Sequence, residues 1–223
     1  MDKMIDSNNM MQYTTLSMQV DKLDNSIIHS FKNLPVDEFL NANEPYKYRY
    51  RRYGSAKVID SLILWKHIPE SFLQNAKINK YAGDISRSFP TLEADLQRFV
   101  GDHIISLVID KSIPSGNYEI GVHQIRITAN DQYMGKPAPE GIHQDGFDYV
   151  AVSCIDMDNI VGGTSVLVDP KDHRKTFLEK ELSCGEILVF NDRSYAHYAS
   201  PIVPKIPGNC YRDVIVTTYK KIS

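Results

Sequence analysis

The chain has 223 residues, 42% of them hydrophobic and 24% charged, and carries a formal net charge of −3. These values suit one sizeable folded domain over 1–223, exclude disordered, collagen-like and coiled-coil classes, and give no global attraction to nucleic acid or anionic membrane. Three scattered cysteines, Cys154, Cys184 and Cys210, form no CxxC pair, so neither a disulfide framework nor a cysteine zinc site is suggested, and a reducing cytoplasm fits best.

Residues 1–15 are polar and dotted with methionine, without periodicity, and read as a loose lead-in. They lack the apolar core of a signal peptide, and no later run reaches the roughly 18 apolar residues of a membrane span. From Leu16 to Leu40 apolar residues recur at mixed spacing and break at Pro35, which predicts short helices. The run YKYRYRRY, Tyr46–Tyr53, alternates aromatic and basic residues, so a strand would put tyrosines on one face and cations on the other. Buried tyrosines with solvated cations account for it better than a nucleic-acid stacking platform, and one cation could instead line the mouth of a site. His67-Ile68-Pro69-Glu70 contains HxxE, but Pro69 argues against the regular helix such a metal motif needs.

Leu92, Leu96, Phe99 and Val100 follow helical spacing, with Thr91 available as a cap, so TLEADLQRFVGDH reads as an amphipathic helix. After it come short β-rich runs separated by Gly, Pro, Asn and Asp: HIISLVID, NYEIGVHQIRITA, FDYVAVSCI, GGTSVLVD, GEILVFND and CYRDVIVTTY. Their spacing predicts an antiparallel sandwich or small barrel. The chain thus divides into a helical, mixed part over 16–103 and a β-rich core over 104–223.

The segment PEGIHQDGF places His143 two residues before Asp145. On an extended strand both side chains face one way, as chelation of one metal requires. A short motif of this kind also arises by chance, and a turn role for Asp145 stands beside the metal reading. His197 follows after enough chain for about three strands, so it can return to the same mouth. Two imidazoles and one carboxylate form the facial triad of non-heme iron(II) oxygenases, with zinc the competing metal. Fifteen residues further on comes Arg212, sharing a strand face with Val214, Val216 and Thr218. A cation in that apolar row needs an anionic partner, and a dicarboxylate would supply one, unless Arg212 faces out or pairs structurally.

This order resembles the iron(II)/2-oxoglutarate-dependent dioxygenases. More closely, His123-Gln124-Ile125-Arg126 and the runs GIHQDGFDYVAVSCI, GGTSVLVD, GEILVFNDR, HYASPI and RDVIVTTY resemble a bacterial family of free amino acid hydroxylases that contains L-isoleucine 4-hydroxylase. The resemblance implies a double-stranded β-helix (jelly-roll, cupin-like) core, mainly β with N-terminal helices. It also implies Fe(II), 2-oxoglutarate and O2, and hydroxylation of an aliphatic L-amino acid with release of succinate and CO2. By motif, His143, Asp145 and His197 would be the iron ligands, and Arg212 would grip the distal carboxylate of 2-oxoglutarate. Many members carry a hydroxyl residue two positions after that arginine; here it is Val214, and Thr218 is the candidate replacement. Related halogenases generally lack the carboxylate that Asp145 supplies, which favours hydroxylation.

For the amino acid itself, Arg126 is the candidate for the carboxylate, with Gln124 on the same strand face, and Glu140 for the ammonium. Tyr133 and Phe147 are candidates for the pocket wall. The alternatives are the same chemistry on another small molecule, including desaturation or sulfoxidation, and a jelly-roll protein that binds a metal without catalysis.

Overall fold

In the computed structural model, residues 3–5, 11–18, 25–40, 45–66 and 88–222 are described. The elements run β1 (Lys3–Ile5), β2 (Met11–Ser17), α1 (Asn25–Lys32), β3 (Arg49–Ile59), β4 (Leu62–Trp65), α2 (Ala94–Val100), a π-helical turn (Gly101–Ile105) and α3 (Ser106–Lys111). Then follow β5 (Asn117–Ala129), β6 (Tyr149–Asp158), β7 (Ile160–Gly162), β8 (Ser165–Val168), β9 (Thr176–Lys180), β10 (Glu186–Asn191), β11 (Ala196–Ala199), β12 (Ile202–Pro204) and β13 (Cys210–Ile222). The expected HxxE motif at His67 lies outside the described residues.

Eight strands form one antiparallel sheet in the order β1-β2-β10-β6-β13-β5-β3-β4; β11-β8-β9 form a second sheet, and β12 pairs with β7. This is the mainly β, jelly-roll architecture expected. Strand alternation gives the large sheet two apolar faces. On one, Val122, Ala151, Ile187, Val189 and Ile215 meet Phe31 of α1 and Leu96, Val100, Ile104 and Val108 of the long helical run. On the other, Val150, Cys154, Leu188 and Phe190 meet Leu167 of the small sheet.

Several expectations are corrected. Residues 11–15 are no loose lead-in: they belong to β2, which pairs with β10 from Glu186↔Ser17 to Phe190↔Tyr13. HIISLVID is helical, not a strand. Its buried residues continue the spacing of Leu96 and Val100 by fours, to Ile104 and Val108. In an α-helix each step of four drifts by roughly 40°, and the wider turn at Gly101–Ile105 absorbs that drift, so one stripe stays on the sheet. The Ser106 amide closes this turn on the Gly101 carbonyl, and the Ser106 hydroxyl donates to the same oxygen at 2.8 Å. Nor does Thr91 cap the helix, which starts at Ala94 after Glu93. Thr91 instead bridges to Tyr53, and its carbonyl accepts from Arg52 at 2.9 Å.

YKYRYRRY does yield an early strand, with β3 lying between β5 and β4. Two of its cations are not solvated, however: Arg49 and Arg51 are 6% and 7% exposed, while Lys47 is exposed. No helix among the described residues is long and apolar enough to cross a membrane.

Candidate metal and cosubstrate site

His143 and His197 face each other through two backbone hydrogen bonds, His143 N–H to His197 O at 3.0 Å and His197 N–H to His143 O at 2.7 Å. This isolated bridge joins the 139–147 loop to β11 and brings the two imidazoles to a centroid separation of 4.3 Å. The Asp145 carboxylate lies 3.6 Å from His143 Nε2 and 3.4 Å from His197 Nε2. One ligand atom from each of the three residues falls within 4.8 Å of the others, a group that could hold a metal ion. A ring nitrogen and an Asp oxygen at such separations suit a divalent cation whose bonds run to about 2 Å.

The histidines are fixed from behind. His143 Nδ1 lies 2.8 Å from the Gly141 carbonyl, which turns Nε2 toward Asp145. His197 Nδ1 faces the Asp192 carboxylate at 3.6 Å. Burial alone would lower the His197 imidazole, but Asp145 and Asp192 on either side raise it to about 10. Carboxylates on both sides of this ring mark a place where positive charge is favoured, which a divalent cation would supply. Asp192 also accepts backbone N–H groups from Asp145 at 3.1 Å, Gly146 at 2.7 Å and Phe147 at 3.0 Å. The next residue in sequence, Arg193, turns instead to Asp148, at 2.6 Å.

Between the two sheets a cavity opens onto His143, Asp145 and His197, and Arg212, Val214, Val216 and Thr218 all line it, as their shared strand face predicts. Arg212 is 3% exposed. Its Nη2 has no hydrogen-bond partner among the described residues. Burial pulls its guanidinium below the ordinary arginine range, the direction expected where no anion lies against it. The side chain runs past Gly163, where an added Cβ would stand 3.0 Å from Arg212 Cδ and where φ is +72°, a conformation suited to glycine. A buried, under-satisfied guanidinium in the cavity that holds the His-Asp-His group fits the distal carboxylate of 2-oxoglutarate.

Residues 29–218 match the 2OG-Fe dioxygenase family. The chain belongs to that family. Its members use Fe(II), 2-oxoglutarate and O2 and act on small-molecule substrates, so this protein is an Fe(II)/2-oxoglutarate-dependent oxygenase. Three solved structures share the fold of this 2OG-Fe dioxygenase. A bsmA homolog from Methylobium petroleophilum PM1 is 21% identical, with 94% of this chain and 88% of that one covered and a TM-score of 0.74. IDO from Bacillus thuringiensis is 17% identical, with 95% of each chain covered and a TM-score of 0.68. The Fe(II)/(alpha)ketoglutarate-dependent dioxygenase TqaL is 11% identical, with 94% and 83% covered and a TM-score of 0.62. No curated protein sequence matches the chain.

The remaining candidates separate sharply. Glu140 lines the cavity, with its carboxylate 3.4 Å from His143 Nε2. Thr218 also lines it. It stands six residues along β13 from Arg212, roughly 20 Å at about 3.3 Å per residue, too far to share one carboxylate with it. Arg126 is on the opposite face of β5 and grips Asp213 through Nε at 2.7 Å and Nη2 at 2.6 Å. Gln124, on that same face, donates to Ser30 of α1 at 2.8 Å. Tyr133 stacks on Tyr46 at 4.6 Å. Tyr133 and Phe147, like Arg126 and Gln124, are not among the cavity-lining residues. In their place stand Arg49, Arg51 and His123. Strand parity separated the faces of β3 and β5 correctly in the sequence, but parity alone cannot say which face meets the cavity. Asp192 left no local signal, because its partners are 45 to 47 residues away in sequence.

Proposed function

We propose that the chain hydroxylates an unactivated C–H bond of a free aliphatic L-amino acid, L-isoleucine or a close relative first, while 2-oxoglutarate is converted to succinate and CO2. His143, Asp145 and His197 hold Fe(II), and Arg212 binds the distal carboxylate of 2-oxoglutarate. The reading rests on the resemblance of the motif-bearing runs to the amino acid hydroxylases. The single observation that carries it is one cavity combining the His-Asp-His group, Arg212, an adjacent carboxylate at Glu140 and an apolar wall of Ile125, Val214, Val216 and Leu188.

Iron, 2-oxoglutarate and O2 supply the oxidising chemistry when bound. The chain supplies position and exclusion of water. The 139–147 loop and β11 hold both imidazoles with Nε2 turned toward Asp145, and Asp192 anchors the loop so that Asp145 cannot swing away. Asp145 would supply to a bound metal the carboxylate that related aliphatic halogenases generally lack, which favours hydroxylation. Glu140 receives the substrate ammonium beside the metal, and the apolar residues of β5 and β13 wall the aliphatic side chain.

The test is incubation with Fe(II), ascorbate, 2-oxoglutarate and a panel of free L-amino acids, read by mass for one added oxygen. Addition to an aliphatic member is expected. A panel without any oxygen gain, while 2-oxoglutarate is still turned into succinate, would move the substrate to another class of small molecule.

A further inference from the structure

Between Cys154 on β6 and Cys184 just before β10, the chain leaves the large sheet, builds β7, β8 and β9, and returns. This excursion supplies the cavity wall that faces the large sheet: Ser165, Val166 and Leu167 line the cavity, and β8 pairs Leu167 with His197 of β11. The two ends of the excursion meet at the two cysteines. The Gly185 amide donates to the Cys154 carbonyl at 2.8 Å, so the peptide that follows Cys184 lies against the peptide that follows Cys154. The turn that carries Cys184 is fixed as well, with the Glu186 amide donating to the Ser183 carbonyl at 2.9 Å and Gly185 at a φ of +86°.

The two thiols are unequal. Cys154 is fully buried on the cavity-side face of β6, opposite Val214 and beside Arg212, whereas Cys184 is half-buried. They hydrogen-bond to each other, with Cys154 as the donor. That bond lowers the Cys184 thiol to about 7, helped by the Met157 amide and opposed by burial and by Asp156. The same bond, together with burial and Asp156, raises Cys154 against the pull of Arg212. The more accessible sulfur is therefore the nucleophile, and the buried one stands in contact with it as a second thiol. Cys210 is an internal control: it is 2% exposed, lies opposite Ala129 at the start of β13, and burial raises it.

We propose that Cys154 and Cys184 form a redox-active dithiol that a hydroperoxide closes to a disulfide, fastening the base of the excursion that walls the cavity. With hydrogen peroxide, the Cys184 thiolate attacks one peroxide oxygen, the O–O bond breaks, and hydroxide leaves as a sulfenic acid forms on Cys184. The Cys154 sulfur then attacks the Cys184 sulfur, and its proton leaves with the displaced hydroxide as water. In sum two thiols lose two electrons and two protons, and hydrogen peroxide becomes two waters. The bond restricts the unfolded chain between residues 154 and 184 and so stabilises the native state. A thiol reductant reopens it, which suits a reversible mark in a reducing compartment.

The experiment treats the full chain, reduced and freed of metal by a chelator, with a small excess of hydrogen peroxide. The readouts are intact mass, peptide mapping and thermal melting. Wild type is expected to lose two hydrogens, to yield a peptide linking Cys154 to Cys184 with Cys210 left as a thiol, and to melt about 5 °C or more higher. Dithiothreitol should reverse all three changes. In Cys154→Ala the reaction should stop at Cys184, as a sulfenic acid that dimedone traps, without the rise in melting. Cys184→Ser should show neither disulfide nor dimedone adduct, and it serves if Cys154→Ala does not melt cooperatively.

A wild-type chain left with three thiols would overturn the proposal. So would a disulfide that includes Cys210 or joins two chains, a linked pair without the rise in melting, or oxidation of Cys184→Ser to the same extent as wild type.

Discussion

The carboxylate of Asp192 receives the amide hydrogens of three consecutive residues, Asp145, Gly146 and Phe147, and stands behind His197. It therefore orients two members of the His-Asp-His group without belonging to it. Asp192→Asn preserves shape and one acceptor oxygen but removes the charge against His197. Its metal affinity is expected to fall by about 10 to 100-fold, read by titration with Mn(II), with little change in melting. Unchanged affinity would reduce Asp192 to a loop anchor.

Arg126 invites a different measurement. Burial raises the Asp213 carboxyl from 3.8 to about 6, against the lowering pull of the Arg126 fork. The same pair raises Arg126, although its own burial acts downward. A carboxyl raised on folding contributes stability that is full below its ordinary value and is lost as pH rises through about 6. Removing Arg126 takes away the counter-charge and extends that loss upward. Arg126→Ala is thus expected to cost about 3–5 kcal/mol at pH 8 and distinctly less at pH 5, by denaturant unfolding. Substrate affinity per folded molecule should be unchanged; a selective loss of substrate binding would return Arg126 to the site.

At the scale of elements, the loop that carries the metal motif is registered by Gly135. Its amide donates to the Ile202 carbonyl at 3.0 Å, and the Ile202 amide returns the bond at 2.9 Å. A Cβ at Gly135 would press on the Thr128 carbonyl and stand 2.6 Å from Ile127 Cγ2 and 3.0 Å from Ile202 Cγ1. Backbone cannot yield as a flexible side chain can. Gly135→Ala is expected to destabilise by about 1–3 kcal/mol in thermal melting and to lower turnover by displacing Glu140 and His143. Wild-type melting would show that the loop is free to shift. Gly141 is the control: a Cβ there meets nothing within 4 Å, although its φ of +80° still disfavours other residues.

The helical run over 94–111 carries the general lesson at this scale. HIISLVID is rich in β-branched residues, and composition favours a strand. The apolar stripe at steps of four and the sheet face awaiting it override that preference, as tertiary burial commonly does. The stripe was visible in the sequence; the sheet face was not.

Across the whole molecule, the cavity draws on segments that only the complete fold brings together: the 139–147 loop, β11 and β13, which carry the proposed metal and cosubstrate residues, and β3 and β5 for the remaining wall. An unfolded chain holds no such arrangement, so ligands stabilise the native state alone. At about 100 times their dissociation constants, Mn(II) and 2-oxoglutarate together should add about 2.7 kcal/mol or more, visible as a rise of several degrees in melting temperature. His143→Ala should lose most of that rise. A rise of full size in the variant would remove His143 from the metal group.

The convergence of His143, Asp145, His197 and Arg212 on one cavity was legible from the chain alone, because the proposed chemistry needs particular side chains in a particular order and because alternation fixes which residues share a strand face. The β-rich core was legible for the same reason, since period-2 patterning and turn residues are local. Tertiary structure decided what no local pattern contains: which face of β3 and β5 meets the cavity, and which buried carboxylate stands behind His197. It turned Arg126 away toward Asp213 and brought Arg51 inward to His123, because strand parity is a property of the chain, whereas the direction of the interior is set by what covers each face of the sheet.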